Sequence, residues 1–174
     1  MSKPWQAPAP AAPRAWGGVS ALSFEQRLAE LGIRLPGVPR PVAAYVPGVQ
    51  AGNLVFTSGQ IPFVDGRLAF QGKVGADLTV EQGKEAARAC ALNALAVVRD
   101  LAGSLDRVKR VVKLLVFVNS APGFTEQPQV ANGASELMLE IFGDAGRHAR
   151  SAVGAGELPL NAAVEVELVV ELHD

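Results

Sequence analysis

The chain has 174 residues, 49% of them hydrophobic and 19% charged, with a formal net charge of −1. That length allows one ordinary core, so a single main domain is expected, and the near-neutral charge gives no electrostatic footprint for nucleic acid. The longest strongly apolar run, Leu114 to Val118, is far short of the roughly 20 residues a membrane-spanning helix needs.

A single cysteine, Cys90, excludes an intrachain disulfide. Its place within a helical pattern points to a buried small side chain rather than a reactive thiol. No basic segment followed by an apolar run begins the sequence, so no secretory signal is expected and the cytoplasm is the expected location.

Residues 1 to about 19 are rich in proline and alanine and show no period, which reads as a tail or linker unless Trp5 or Trp16 docks it. Ser23-Phe24-Glu25-Gln26 matches a capping box, and Phe24, Leu28 and Leu31 then share one face until Gly32. Pro36, Gly37, Pro39 and Pro41 make a stiff connector, placing the start of the main domain near Val42. The expected organisation is an N-terminal extension, 1–41, and a main domain, 42–174. Tyr45, just before Pro47-Gly48, reads locally as an aromatic half-buried at a turn.

Leu54 to Ser58 reads as a strand that returns through an Asp65-Gly66 turn as Arg67 to Phe70, giving a β-hairpin. Ser58 lacks a histidine or lysine in a recognisable partner context, so a turn hydroxyl is expected there rather than a nucleophile. The clearest helix runs from Thr79 to about Ala102, with a second capping box at Thr79 and Gln82, a face of alanines, and Gly103 as the stop. Val111 to Val118 is a nearly continuous apolar strand, expected to be covered on both faces. Val130, Ala134, Leu137, Met138 and Ile141 mark another helix ending at Gly143.

The stretch Arg150-Ser151-Ala152-Val153-Gly154-Ala155-Gly156-Glu157-Leu158-Pro159, with the strand after it, brings an arginine and a glutamate onto neighbouring segments separated by small residues. That outlines a small anion pocket, with a loop ion pair as the plainer reading. The last strand puts Val164, Val166, Leu168, Val170 and Leu172 on one face and Glu165, Glu167 and Glu171 on the other. The order of elements gives an α+β fold with helices on one side of a sheet, whose other face self-association would cover. His148 and His173 are isolated from any ligand spacing, so no metal is expected, and no phosphate loop or dinucleotide fingerprint occurs.

Tyr45-Val46-Pro47-Gly48-Val49, then Gly52-Asn53-Leu54-Val55-Phe56-Thr57-Ser58-Gly59-Gln60-Ile61-Pro62, then Asn132, Arg150-Ser151, Leu158-Pro159 and Val164-Glu165-Val166 occur in matching order with, and resemble, the RidA/YjgF enamine/imine deaminase family. Some of its members carry the label endoribonuclease L-PSP. The resemblance covers about residue 42 onward. It implies a chorismate-mutase-like α+β subunit with two helices on one face of a mixed sheet, assembled as a homotrimer around a central barrel with active sites between subunits. It further implies hydrolysis of 2-enamine and 2-imino acids to 2-keto acids and ammonia, with no cofactor. By that resemblance Arg150 holds the substrate carboxylate and Glu165 positions or activates water. The backbone around Ala152 meets the nitrogen and the water, Tyr45, Ser58 and Asn132 line the cleft, and Gly59 and Ser151 belong with them to the substrate-binding set.

The residue types suit that chemistry, because a guanidinium grips a carboxylate through two parallel hydrogen bonds. An imine carbon is already electrophilic, so orientation of substrate and water is the main task. Departures surround the site: His148 stands where the family usually has a proline-like residue, Ala152 where a cysteine is frequent, and Gly154 where a glutamate is. The alternatives are a non-catalytic protein that binds a small carboxylate or regulates a partner and, with less support, an endoribonuclease or translation inhibitor. Scarce aromatics and the absence of a histidine pair argue against the last.

Overall fold

The computed structural model describes residues 22–38 and 44–174. The Pro/Ala-rich segment with Trp5 and Trp16, and the expected domain start near Val42, lie outside the described residues. Helix α1 (Phe24–Glu30) begins at Ser23, whose hydroxyl accepts from the Gln26 amide while the Gln26 side chain returns to the Ser23 backbone. Leu28 is buried in the main core, and the Glu25 carboxylate accepts the Leu105 amide at 3.0 Å, so α1 packs on the same body as the rest of the chain.

Strands β1 (Gly48–Ala51) and β2 (Leu54–Thr57) form a hairpin around Gly52-Asn53, and Gly52 takes the positive φ of 62° that this tight turn requires. The pairing expected across Asp65-Gly66 is corrected in part. The turn exists, but it joins a separate two-stranded hairpin, β3 (Phe63–Val64) and β4 (Arg67–Leu68), and β2 pairs instead with β1 and with the last strand. Four residues beginning at Gly48, directly after Pro47, are too few for an alternating pattern to stand out, which hid β1.

Helix α2 (Val80–Ala102) has the Thr79–Gln82 capping box and ends at Gly103, whose φ of 82° is a left-handed stop. Strand β5 (Val108–Asn119), helix α3 (Gln127–Phe142), strand β6 (Ala149–Ala155) and strand β7 (Val164–Leu172) follow. The five-stranded sheet runs β1-β2-β7-β5-β6, antiparallel throughout except for the parallel β5–β6 pair, which α3 connects.

Both long helices cover one face of this mixed sheet, as expected. Val164, Val166, Leu168, Val170 and Leu172 of β7 are buried there beside Leu114, Val116 and Val118 of β5. Each fully buried Leu or Val contributes about 1.5–3 kcal/mol. The alanine face of α2, with Ala87, Ala91 and Ala94 fully buried around Cys90, lets the helix lie close to the sheet. Burial raises the Cys90 thiol well above its ordinary range, Glu165 adds to the effect, and the sulfur donates to the Val164 carbonyl at 3.4 Å.

The second face of β5 is not fully covered as the apolar run suggested: Val112, Leu115 and Phe117 are half-buried. They share this open face with Glu165, Glu167 and Val169 of β7, and with Val49, Phe56 and Val153, which are 50%, 38% and 43% exposed. A sheet face carrying this much exposed apolar surface is suited to contact with another molecule. No helix among the described residues is long and apolar enough to cross a membrane.

Candidate functional site

Register decides which side chains can meet. Arg150 pairs with Leu114, and Ala152 with Val116, so both side chains lie on the helix-covered face of β6. Ser151 pairs with Leu115 and lies on the open face, where its hydroxyl meets the Lys113 ammonium at 3.0 Å. Glu165 pairs with Phe117, one parity step away from Leu114 and Val116, and so also lies on the open face. Within one chain, therefore, Arg150 and Glu165 sit on opposite faces of the sheet.

The arginine half is built on α3. Asn132 and Ser135, three residues apart on one helix face, accept from the same Arg150 nitrogen, Nη1, at 2.9 and 3.0 Å. Among the described residues no carboxylate pairs with Arg150, and its Nε and Nη2 remain available to form a fork. His148 stands behind Ser135, with Nε2 3.0 Å from the hydroxyl and Nδ1 2.6 Å from the Gly146 carbonyl. Burial lowers the His148 pKa, the carbonyl contact partly opposes this, and the Arg150 charge lowers it further.

The glutamate half is built on the end of β2. The Glu165 carboxylate lies directly against the backbone of Gly59, where any Cβ would overlap it. Partial burial raises the Glu165 pKa, and the negative charge of Glu167 on the same face raises it further. Ser58 donates its hydroxyl proton to the Val46 carbonyl at 2.6 Å, and its amide to Pro47 at 2.8 Å, which ties the Tyr45 segment to the strand end. That proton is committed to a turn. Tyr45 itself is 60% exposed, more open than the half-buried position its local sequence suggests.

The structure thus groups Arg150, Asn132 and the Ala152 backbone at one place, and Glu165, Gly59, Ser58 and Tyr45 at another, with Ser151 on the open face of β6. The segment around Arg150, read from sequence as the outline of an anion pocket with a loop ion pair as the plainer reading, is a parallel edge strand over Ala149–Ala155; Gly154 and several small residues hid its alternation. The glutamate of that stretch, Glu157, does not approach the arginine but pairs with Lys73 at 3.1 Å.

Sequence reasoning missed three residues. Ser135 was detectable as the i+3 neighbour of Asn132 on one helix face. Asn119 is fully buried at the end of an apolar strand, where a lone amide signals a partner. It accepts from Lys73 Nζ at 3.1 Å and donates to Asn161 and Ala162 at 3.1 and 3.2 Å, while Lys73 also donates to the Gly156 carbonyl. Together they fix the connection between β6 and β7. Among the described residues no group of three or more His, Cys, Asp or Glu could hold a metal ion.

Comparison with known proteins agrees on family. Residues 25–172 match the family described as "YjgF/chorismate_mutase-like, putative endoribonuclease". Protein TCP17 of Trypanosoma cruzi is 53% identical over 148 residues, covering 84% of this chain and 92% of that protein. A 2-iminobutanoate/2-iminopropanoate deaminase of Dermatophagoides farinae is 33% identical over 141 residues, covering 81% and 95%. The crystal structure of Atu1372, a protein of unknown function from Agrobacterium tumefaciens, superposes with a TM-score of 0.80 at 47% identity, covering 87% of this chain and 94% of that one.

Proposed function

Because this chain belongs to the YjgF/chorismate-mutase-like family, we propose that it hydrolyses 2-imino acids and their enamine tautomers to 2-keto acids and ammonia. The observation that carries the proposal is Arg150: one nitrogen is fixed by two α3 side chains, and the other donors face no carboxylate among the described residues. That is a prepared seat for a substrate carboxylate.

In the proposed reaction, water adds to the imine carbon while Glu165 accepts its proton. That proton passes to nitrogen, giving a carbinolamine; Glu165 then moves the carbinolamine hydroxyl proton to the same nitrogen, the C–N bond breaks, and ammonia leaves as the carbonyl forms. Atoms balance as imino acid plus water giving keto acid plus ammonia. Orienting two reactants supplies most of what this step requires, since the carbon is already electrophilic.

Arg150 and Glu165 lie on opposite faces of one sheet, so the complete site in this reading uses two copies, the open face of one bringing Glu165 to the Arg150 edge of the next. Val49, Phe56 and Val153 supply apolar surface for that contact, and closure of three such contacts gives the homotrimer.

The test is ammonia and keto-acid formation from 2-imino acids generated in situ by an amino-acid oxidase. Acceleration over the uncatalysed rate, in a species of trimer mass, is the expected result. No acceleration for any side chain, together with calorimetric binding of 2-oxo acids, would replace this reading with that of a carboxylate-binding protein.

Glu165 serves as a base only when ionised, so activity falls as pH drops through its raised pKa. Glu167→Gln removes one cause of that elevation, so the acidic limb of the kcat/KM profile moves to lower pH. A limb that stays in place or moves upward would remove Glu165 from the role.

A further inference from the structure

Building on Arg150 as the carboxylate seat, we infer that Ser135 and His148 are positioning residues that hold the guanidinium in its binding orientation through a one-way chain of hydrogen bonds. The direction of the chain follows from the groups themselves. A backbone carbonyl only accepts, so the 2.6 Å contact to Gly146 places a hydrogen on His148 Nδ1. In the neutral ring Nε2 is then an acceptor, and at 3.0 Å it takes the hydroxyl proton of Ser135. The Ser135 oxygen is left to face Arg150 Nη1 at 3.0 Å as an acceptor.

Asn132 Oδ1 takes the other Nη1 hydrogen at 2.9 Å. Both hydrogens of that nitrogen are therefore committed, and the guanidinium cannot turn about its Nε–Cζ bond without breaking two bonds. Nε and Nη2 stay aligned for the ligand. The arrangement is anchored at both ends. Asn132 and Ser135 project from one face of α3, and Gly146 lies so close to the Met138 carbonyl that any Cβ there would overlap it, which seats the His148 turn against the same helix. Reversing the chain would give the Ser135 oxygen a second donor and set an imidazolium beside a guanidinium.

Three measurements test this on the full chain. Nitrogen-15 NMR of the imidazole at neutral pH is expected to show the Nδ1–H tautomer. Exchange of the Arg150 Nη nitrogens by rotation is expected to be slow in the wild type and markedly faster in Ser135→Ala and His148→Ala. Calorimetry with pyruvate as probe is expected to show affinity falling about tenfold in both alanine variants, the loss of one net hydrogen bond's alignment, and largely restored in His148→Gln, whose amide oxygen can accept from Ser135.

An Nε2–H tautomer, unchanged rotation in the alanine variants, or unchanged pyruvate affinity in His148→Ala would each overturn the inference. If the wild type binds no pyruvate, the carboxylate reading of Arg150 fails. The tautomer and rotation readouts still decide whether His148 and Ser135 hold the guanidinium.

Discussion

Arg150→Ala is expected to lower kcat/KM for 2-imino acids by about 10³-fold, with thermal unfolding little changed. Two charge-assisted bonds to a carboxylate contribute about 1.5–3 kcal/mol each, and each 1.36 kcal/mol is about a tenfold change in rate. Misplacement of the imine carbon relative to water adds to that loss. The fold tolerates the change because Asn132 and Ser135 are themselves partly exposed and can turn to water when their partner is removed. Arg150→Lys recovers little, since an ammonium cannot satisfy both α3 acceptors and still present a planar fork. Measurement by steady-state kinetics on in situ imines decides it; a variant within tenfold of wild type would show that the arginine is not the carboxylate seat.

Gly133→Ala is expected to be the most damaging small substitution for stability. Gly133 lies on α3 where its backbone meets that of α2, and a Cβ would overlap the Lys84 carbonyl and come within 2.7 and 3.0 Å of the Lys84 C and Cα atoms. Those atoms belong to a helix backbone and cannot rotate aside. Alanine favours a helix over glycine by about 1 kcal/mol, which opposes the clash. Separating two packed helices costs about 1–3 kcal/mol or more, and it also opens a void between α2 and the sheet.

The expected net result is a destabilisation of about 2–3 kcal/mol and a fall in melting temperature of about 4–12 °C at fixed protein concentration. Gly83 provides the contrast. The atoms nearest a Cβ there are methyl groups of Val130 and Val74 at 3.0–3.3 Å, which can shift, so Gly83→Ala is expected to cost less. A Gly133→Ala melting temperature equal to that of the wild type would mean that the helices separate without penalty.

The α+β class and both long helices were legible because capping boxes, glycine stops and a helical period all agree over long segments. Short strands were not. The β3–β4 turn was visible as Asp65-Gly66, but its partners were misassigned, because two-residue strands carry no period and β2 takes its pairing from β7, far away in sequence. At the site, residue types could be read but not sides. Nothing in the spacing of Arg150 and Glu165 says that they face opposite ways. That depends on β6 being a strand in register with β5, and its small residues concealed it. Asn132 was named through the resemblance, yet the reason it matters, a nitrogen shared with Ser135, appears only when α3 lies beside β6.

The position of β7 also bears on how the chain reaches its native state. This strand is the latest of the seven in sequence and the middle one in the sheet, so Phe56 of β2 must wait for Val169, and Leu114 for Leu168, before either gains its second cross-strand neighbour. Without β7, the β1–β2 hairpin and the β5–α3–β6 unit are two half-sheets with no strand between them, each ending in a strand with an unpaired edge. Closing them requires contacts across most of the chain, which favours slow folding. A chain whose β7 has not yet docked has two open edges, on β2 and β5, the condition in which strand pairing between neighbouring chains competes with folding.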